Sequence, residues 1–260
     1  MPRLPRLPDL LTTANLCCGV AAILFASQGQ VPLACWLIFL AAVFDVFDGL
    51  AARALGGGSP LGTQLDSLAD MVSFGVAPAF LLFVQASTLA GNLIDPSALA
   101  GWSELPYPNL KPNWPIKVAA VALAVASCWR LAKFNLDTRQ TSGFLGLPTP
   151  ANGLFWASLC LASPTNWRAF DMPAKLLPMV LAAPFLTLVV ALLMSFLMLS
   201  EIPLPSLKFK NMGWKGNEVI YLLLGSGLVL VLLYGMLAVP LILVLYLLSP
   251  LWGKLFPTKA

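Results

Sequence analysis

The feature that most constrains this chain is where its charges are missing. Residues 10–44 contain no Asp, Glu, Lys or Arg, and neither do 71–94, 140–167, 176–200 or 219–253. Runs of that length, filled with Leu, Val, Ala, Phe and Ile, match or exceed the ~20 apolar residues that carry a helix across a bilayer. They are continuously apolar, without the in–out alternation of a membrane barrel. In hydrocarbon, only structures that satisfy their own backbone hydrogen bonds are viable, so continuous apolar runs read as helices. The fold class is therefore all-α, a polytopic membrane helix bundle. Composition agrees: 59% of residues are hydrophobic, 10% are charged and the mean hydropathy is +0.85, against about 25% charged in a soluble domain.

The runs place spans near 10–28, 31–55, 66–90, 116–135, 148–163, 174–199, 217–235 and 237–252. The last two are also readable as one long helix bent at Pro240. The N-terminus, with Pro2, Pro5 and Pro8, reads as too short and too proline-rich for a cleaved signal peptide. No soluble domain and no internal repeat is visible. Cytoplasmic ends of spans collect Lys and Arg. With the N-terminus cytoplasmic, one side receives eleven basic residues: Arg3, Arg6, Arg53, Arg130, Lys133, Arg139, Lys208, Lys210, Lys215, Lys254 and Lys259. The other receives Lys111, Lys117, Arg168 and Lys175.

Two absences narrow the chemistry. There is no histidine, which excludes Ser-His-Asp catalysis, His-ligated metals and a histidine nucleophile. Cys17, Cys18, Cys35, Cys128 and Cys160 lie in apolar stretches without CxxC spacing, as small core hydrophobes do. The net charge of +4 comes with no basic run suited to nucleic acid.

Against this apolar background the acidic residues stand out. Of eleven Asp and Glu in the chain, Asp45, Asp48, Asp66 and Asp70 fall within residues 45–70. Ionisable groups in a span are costly and are functional candidates by default. Asp45 and Asp48, at i and i+3, share one helix face, and Asp66 and Asp70, at i and i+4, share another. A short loop joins the two spans, so they are antiparallel neighbours and the two pairs meet at one membrane depth. One nearby cation, Arg53, does not balance four carboxylates. Oxygen-only ligation suits Mg²⁺ or Mn²⁺, and two divalent ions would match a phosphoryl-transfer centre. The connecting Gly56-Gly57-Gly58-Ser59-Pro60-Leu61-Gly62 lets backbone amides approach phosphate. Gly49 lies inside a helix, where glycine costs about 1 kcal/mol against alanine. It is explained either by a large group touching the helix or by a helix-packing contact. Metals, an arginine and a glycine-rich loop at headgroup level suggest a pyrophosphate substrate with a lipid tail.

The pattern Asp45-x2-Asp48-Gly49-x2-Ala52-Arg53-x8-Gly62-x3-Asp66-x3-Asp70 resembles, at all eight positions, the signature of the CDP-alcohol phosphatidyltransferases. The resemblance implies a six-helix membrane core, here about residues 1–200, with 201–260 as a C-terminal helical hairpin. It implies transfer of a phosphatidyl or related group from a CDP-linked donor to an alcohol, with release of CMP. It assigns Asp45, Asp48 and Asp66 as metal ligands, and Asp70 as the general base that also touches a metal. It puts Gly49, Arg53, Ser59 and Gly62 on the CDP moiety, with Asp9 and Thr12 of Pro8-Asp9-Leu10-Leu11-Thr12 as further donor contacts. Many relatives have Asn at the position of Asp9. The chemistry agrees, since a poorly nucleophilic hydroxyl needs a base and, without histidine, a carboxylate is the natural one.

Three segments are similar to the bacterial and archaeal phosphatidylserine synthase subgroup. They are 7–15, 73–79 (Ser73-Phe74-Gly75-Val76-Ala77-Pro78-Ala79), and Arg130-Leu131-Ala132-Lys133-Phe134-Asn135 with Gly143 to Ala151. The resemblance spans roughly residues 5–165. It implies CDP-diacylglycerol and L-serine as substrates, with Arg130, Lys133 and Asn135 at the acceptor. It also implies a homodimer in the cell (inner) membrane with the site facing the cytoplasm. A zwitterionic acceptor wants a cation for its carboxylate, and Arg130 and Lys133 share a face at the end of a span. Competing readings are another acceptor, such as glycerol phosphate, inositol phosphate or choline, and a divalent-cation transporter. A transport site belongs near the midplane of inverted repeats, whereas these carboxylates gather at one membrane face.

Overall fold

The computed structural model describes residues 6–94, 114–136, 144–162, 180–204 and 218–255. Its elements are α1 (Leu7–Ser27), α2 (Val31–Ala54), α3 (Pro60–Asp70), a π-helical segment (Met71–Val76), α4 (Ala77–Ile94), α5 (Trp114–Leu136), β1 (Phe144–Leu145), α6 (Thr149–Leu161), α7 (Pro184–Leu199), β2 (Pro203–Leu204), α8 (Glu218–Tyr234) and α9 (Ala238–Leu255). The protein is an all-α polytopic membrane bundle. Helical segments of 21, 24, 31 and 23 residues have mean hydropathies of 1.5 to 2.0, enough in length and composition to cross a membrane, and the stretch Ile220–Ser249 is more apolar still at 2.9. Large apolar side chains such as Leu24, Val121, Phe196 and Leu232 stand exposed around the bundle, which suits a lipid-facing surface and not an aqueous one.

Small residues let the helices approach closely, as membrane packing requires where lipid offers no hydrophobic drive. The α1–α2 contact buries Ala22, Ala26, Ala34, Cys35 and Ala41. The turn between them reverses at Gly29, whose φ of 77° favours glycine. Helix α6 is the central post. It packs on α2, α4, the π segment and α9, and it buries Asn152, Gly153 and the run Trp156–Leu161. Helix α5 lies along α7 and the π segment.

Three features differ from the sequence expectation. The third helix starts at Pro60, not near residue 66, because Ser59 caps it by accepting the Gly62 N–H at 2.9 Å, with Pro60 in its first turn. Gly62 and Asp66 are thereby helical, and the loop shrinks to residues 55–59. The sixth span is interrupted at Ala183, whose extended backbone (φ −102°, ψ 102°) is what a residue before proline prefers. Residues 174–179 of that span lie outside the described part. The last pair forms two helices, as the runs 217–235 and 237–252 lead one to expect, and not one long helix bent at Pro240. A 3-10 turn at Gly235–Leu237, with Gly235 at φ 56°, reverses the chain so that Gly227 faces Ile242. Finally, a two-residue antiparallel ladder, Phe144 to Leu204 and Leu145 to Pro203, is the departure from helix among the described residues. Gly146 follows it at φ 72°, pressed against the Ser200 carbonyl at the end of α7.

The ends of α2, α5 and α7 and the starts of α1, α3 and α6 gather at one end of the bundle, with Arg6, Arg53, Arg130 and Lys133. Lys117 belongs to the opposite end of α5. Arg3, Lys111, Arg139, Arg168, Lys175, Lys208, Lys210, Lys215 and Lys259 lie outside the described residues.

Candidate functional site

The site is assembled from α1, α2 and α3, which meet where α2 ends and α3 begins. Asp45 and Asp48 descend from the last turns of α2. Asp66 and Asp70 rise from α3. One carboxylate oxygen each from Asp45, Asp48 and Asp66 lies within 4.8 Å of the others. Asp48 and Asp70 are buried, and Asp45 and Asp66 are half-buried. At that spacing two ionised carboxylates repel by about 3 kcal/mol or more at an effective dielectric near 20. Three such pairs are held together only by proton uptake or by a counter-charge. An Asp66 oxygen (Oδ1) is buried with no hydrogen-bond partner among the described residues, which fits a metal-ligating atom. Three hard oxygen donors from two rigid helices fit Mg²⁺ or Mn²⁺ better than softer metals.

Asp70 is not one of the three grouped ligands but adjoins them. Its carboxyl closely faces that of Asp45 and accepts a hydrogen bond from Asn15 Nδ2 at 3.2 Å. Asp48 is steadied from α1 as well, with the Thr12 hydroxyl 2.8 Å from its Oδ2. The same hydroxyl is 3.0 Å from the Pro8 carbonyl. Thr12 and Asn15 sit on one buried stripe of α1 with Gly19, Ala22 and Ala26, which is why an apolar helix carries two polar residues inward at this point.

Beside the trio opens a cleft of ≈ 110 Å³, lined by Arg6, Pro8, Asp9, Thr12, Asp48, Gly49, Ala52, Gly57, Gly58, Ser59, Gly62, Thr63 and Asp66. Two glycines are decided here. A Cβ at Gly62 would stand 2.9 Å from Asp9 Oδ1 and 3.1 Å from Ser59 Oγ. Its absence lets the start of α1 close over the first turn of α3. Among the described residues, a Cβ at Gly49 would meet only the Arg53 guanidinium, at 3.7 Å. Gly49 is therefore not a helix-packing glycine; it opens the cleft wall beneath an exposed arginine. Asp9 also caps its own helix, accepting the Arg6 N–H at 3.0 Å. All six residues that the resemblance puts on the donor, Asp9, Thr12, Gly49, Arg53, Ser59 and Gly62, thus surround one opening or its rim.

The three residues expected at the acceptor do not converge equally. Arg130 is buried on α5, its guanidinium 5.4 Å from the Phe134 ring centroid. Lys133 is exposed and donates to the Leu199 carbonyl at the end of α7, at 3.5 Å. There it meets the negative end of that helix. Asn135 pairs with Ser67, its Nδ2 2.9 Å from Ser67 Oγ, one residue from Asp66. This joins the end of α5 to the acidic face of α3. Asn15, Ser67 and Ser73 are site residues that sequence reasoning does not single out. A signal exists for Asn15 alone, a strongly polar side chain three residues from Thr12 in an otherwise apolar run.

Residues 6–205 match the family model for CDP-alcohol phosphatidyltransferase. The chain is similar to CDP-diacylglycerol–serine O-phosphatidyltransferase of Helicobacter pylori, 29% identical over 227 residues, covering 86% of this chain and 81% of the relative. It is also similar to the proteins of that name from Methanocaldococcus jannaschii (34% over 152 residues, 58% of this chain and 59% of the relative) and Bacillus subtilis (31% over 148 residues, 57% and 71%).

Proposed function

This chain belongs to the CDP-alcohol phosphatidyltransferase family, and from that premise we propose that it is a phosphatidylserine-forming enzyme. It transfers the phosphatidyl group of CDP-diacylglycerol to the hydroxyl of L-serine and releases CMP. The observation that carries the reading is the acidic trio on α2 and α3 opening onto a glycine-lined cleft, in a chain whose relatives are named for that reaction.

Asp45, Asp48 and Asp66 would hold Mg²⁺ or Mn²⁺, two ions on the two-metal pattern. Once bound, such ions neutralise pyrophosphate charge and ease departure of the CMP oxygen. The protein's own groups do the rest. Gly49 leaves room for the donor against α2, and Arg53 at the rim supplies fixed positive charge to its phosphates. The Gly57 N–H donates to the Ala52 carbonyl at 2.8 Å and so ties the loop to the end of α2. Gly58, exposed beside it on the cleft wall, offers its backbone to anionic oxygen. Thr12 fixes one oxygen of Asp48. Asp70, outside the trio, accepts the serine hydroxyl proton as that oxygen attacks phosphorus. Arg130, at the end of α5, takes the serine carboxylate. The basic residues at this end of the bundle support a site that faces the cytoplasm from the cell membrane, and we propose a homodimer as the functional unit.

The test is CMP release by purified protein from CDP-diacylglycerol, with Mn²⁺ or Mg²⁺, across an acceptor series. Serine-dependent release with loss of activity in Asp70→Asn supports the proposal. Release only with glycerol 3-phosphate, inositol phosphate or choline would refute serine as acceptor. Metal flux across vesicles without CMP release would instead support a transporter.

A further inference from the structure

The junction between α3 and the π segment is held by α1 in an unusual way. Asn15 is fully buried and makes two hydrogen bonds to residues three apart on the facing element. Its Nδ2 donates to Asp70 Oδ1 at 3.2 Å, and its backbone carbonyl accepts from Ser73 Oγ at 2.9 Å. Ser73 is likewise fully buried. The contact is tight enough that α1 needs a glycine one turn further on. A Cβ at Gly19 would lie 2.7 Å from the Ser73 Cα and closer still to its hydroxyl. The other sides of the π segment are equally close. A Cβ at Gly75 would be 3.0 Å from Ser127 Cβ on α5, and one at Gly153 on α6 would be 3.0 Å from the Phe74 Cα. A π turn inserts an extra residue into a helix and recurs at functional sites. Here it begins directly after Asp70.

We infer that Asn15 is a positioning residue: its amide holds one oxygen of Asp70 and, with Ser73, fixes the π turn, so that the other Asp70 oxygen is aimed at the acceptor hydroxyl. This rests on the reading of Asp70 as the base. The physical reason is rotational. A carboxylate at a helix end turns about two side-chain bonds, and a proton acceptor must lie within about 2.6–3.2 Å of the proton's donor atom. A single donor to one oxygen removes most of that freedom, and because α1 also carries Thr12 to Asp48, one helix aligns the base with the metal ligands. The Oδ1 of Asn15 is buried without a partner. The amide thus donates to Asp70 while its carbonyl stays unsatisfied, a cost that a purely space-filling residue would not carry.

The test compares Asn15→Leu, similar in volume but without a donor, with Ser73→Ala, Asp70→Asn and the double variant Asn15→Leu/Asp70→Asn. Turnover is normalised to the fraction of protein that binds CDP-diacylglycerol. Loss of a hydrogen bond to a charged group should lower kcat of Asn15→Leu about 10- to 100-fold. The KM for donor and the half-saturating Mn²⁺ concentration should stay within about twofold of wild type. Ser73→Ala should lose less, in the same direction. The double variant should be no slower than Asp70→Asn, because the effect passes through Asp70. A kcat per binding-competent molecule within about twofold of wild type in Asn15→Leu would overturn the inference, as would multiplying losses in the double variant. Should Asn15→Leu fail to insert, Ser73→Ala with unchanged normalised kcat overturns it equally. If wild type releases no CMP with any alcohol, the proposed function falls first; if wild type turns over and the variants match it, only the positioning role falls.

Discussion

Neutralising one member of the acidic trio should make the metal-free protein more stable and the metal-loaded protein inactive. Asp66 is the best choice, because its Oδ1 has no hydrogen-bond partner to lose. It faces Asp45 and Asp48, with ligand oxygens within 4.8 Å. At an effective dielectric near 20, each ionised pair costs about 3 kcal/mol, so Asp66→Asn removes up to about 6 kcal/mol of repulsion. Proton uptake and water entering the cleft relieve much of this in wild type before any mutation. A net gain of about 1–3 kcal/mol is the reasonable expectation. For a chain of this size each kcal/mol moves the midpoint by about 2–4 °C, so the apparent Tm in EDTA should rise by roughly 2–12 °C. Saturating Mn²⁺ should raise the wild-type Tm, since a ligand that binds only the folded state stabilises it. That response should vanish in Asp66→Asn, together with CMP release. The assay is thermal unfolding of detergent-purified protein with and without metal, followed by a turnover measurement on the same samples. An Asp66→Asn variant that is no more stable in EDTA, yet still gains the full metal-induced shift, would refute the reasoning that these carboxylates form one cation site.

Further outcomes follow from individual contacts. Gly49→Ala should raise stability by up to about 1 kcal/mol, because a helical alanine is favoured over glycine and among the described residues its Cβ meets Arg53 alone, at 3.7 Å, and yet raise donor KM about tenfold; an unchanged KM would remove Gly49 from the donor site. Gly62→Ala should both lower Tm and weaken donor binding, since Asp9 Oδ1 and Ser59 Oγ stand at 2.9 and 3.1 Å. Thr12→Val removes the 2.8 Å contact to Asp48 and should raise the Mn²⁺ concentration for half activity about tenfold, by loss of one hydrogen bond to a charged group. Arg130→Ala should raise serine KM about ten- to a hundredfold with donor KM unchanged, and Arg130→Lys should rescue poorly because the planar fork is lost; serine titrations at saturating donor read both.

The membrane fold and the acidic constellation were legible in the chain because both follow from short-range periodicity. Charge-free runs set the spans, and a 3.6-residue repeat puts Asp45 with Asp48 and Asp66 with Asp70 whatever surrounds them. The single short loop then forces the two pairs together, so the trio needed no tertiary information. The start of α3 was misplaced because hydropathy does not register a cap: Ser59 and Pro60 begin the helix before its apolar part starts. The roles within the site were decided by tertiary structure. Gly49 could equally have faced a neighbouring helix, and only the packing of α1 and α3 leaves it beside Arg53 and open to the cleft. Lys133 and Asn135 share a span with Arg130, yet they are drawn to the end of α7 and to Ser67. Asn15 reads as one polar residue in an apolar run, and only the close crossing of α1 over the π segment brings its amide to Asp70. Local periodicity fixes which side chains share a face, whereas the partner each face meets depends on contacts between residues 55 or more positions apart, such as Asn15 with Asp70 and Ser67 with Asn135.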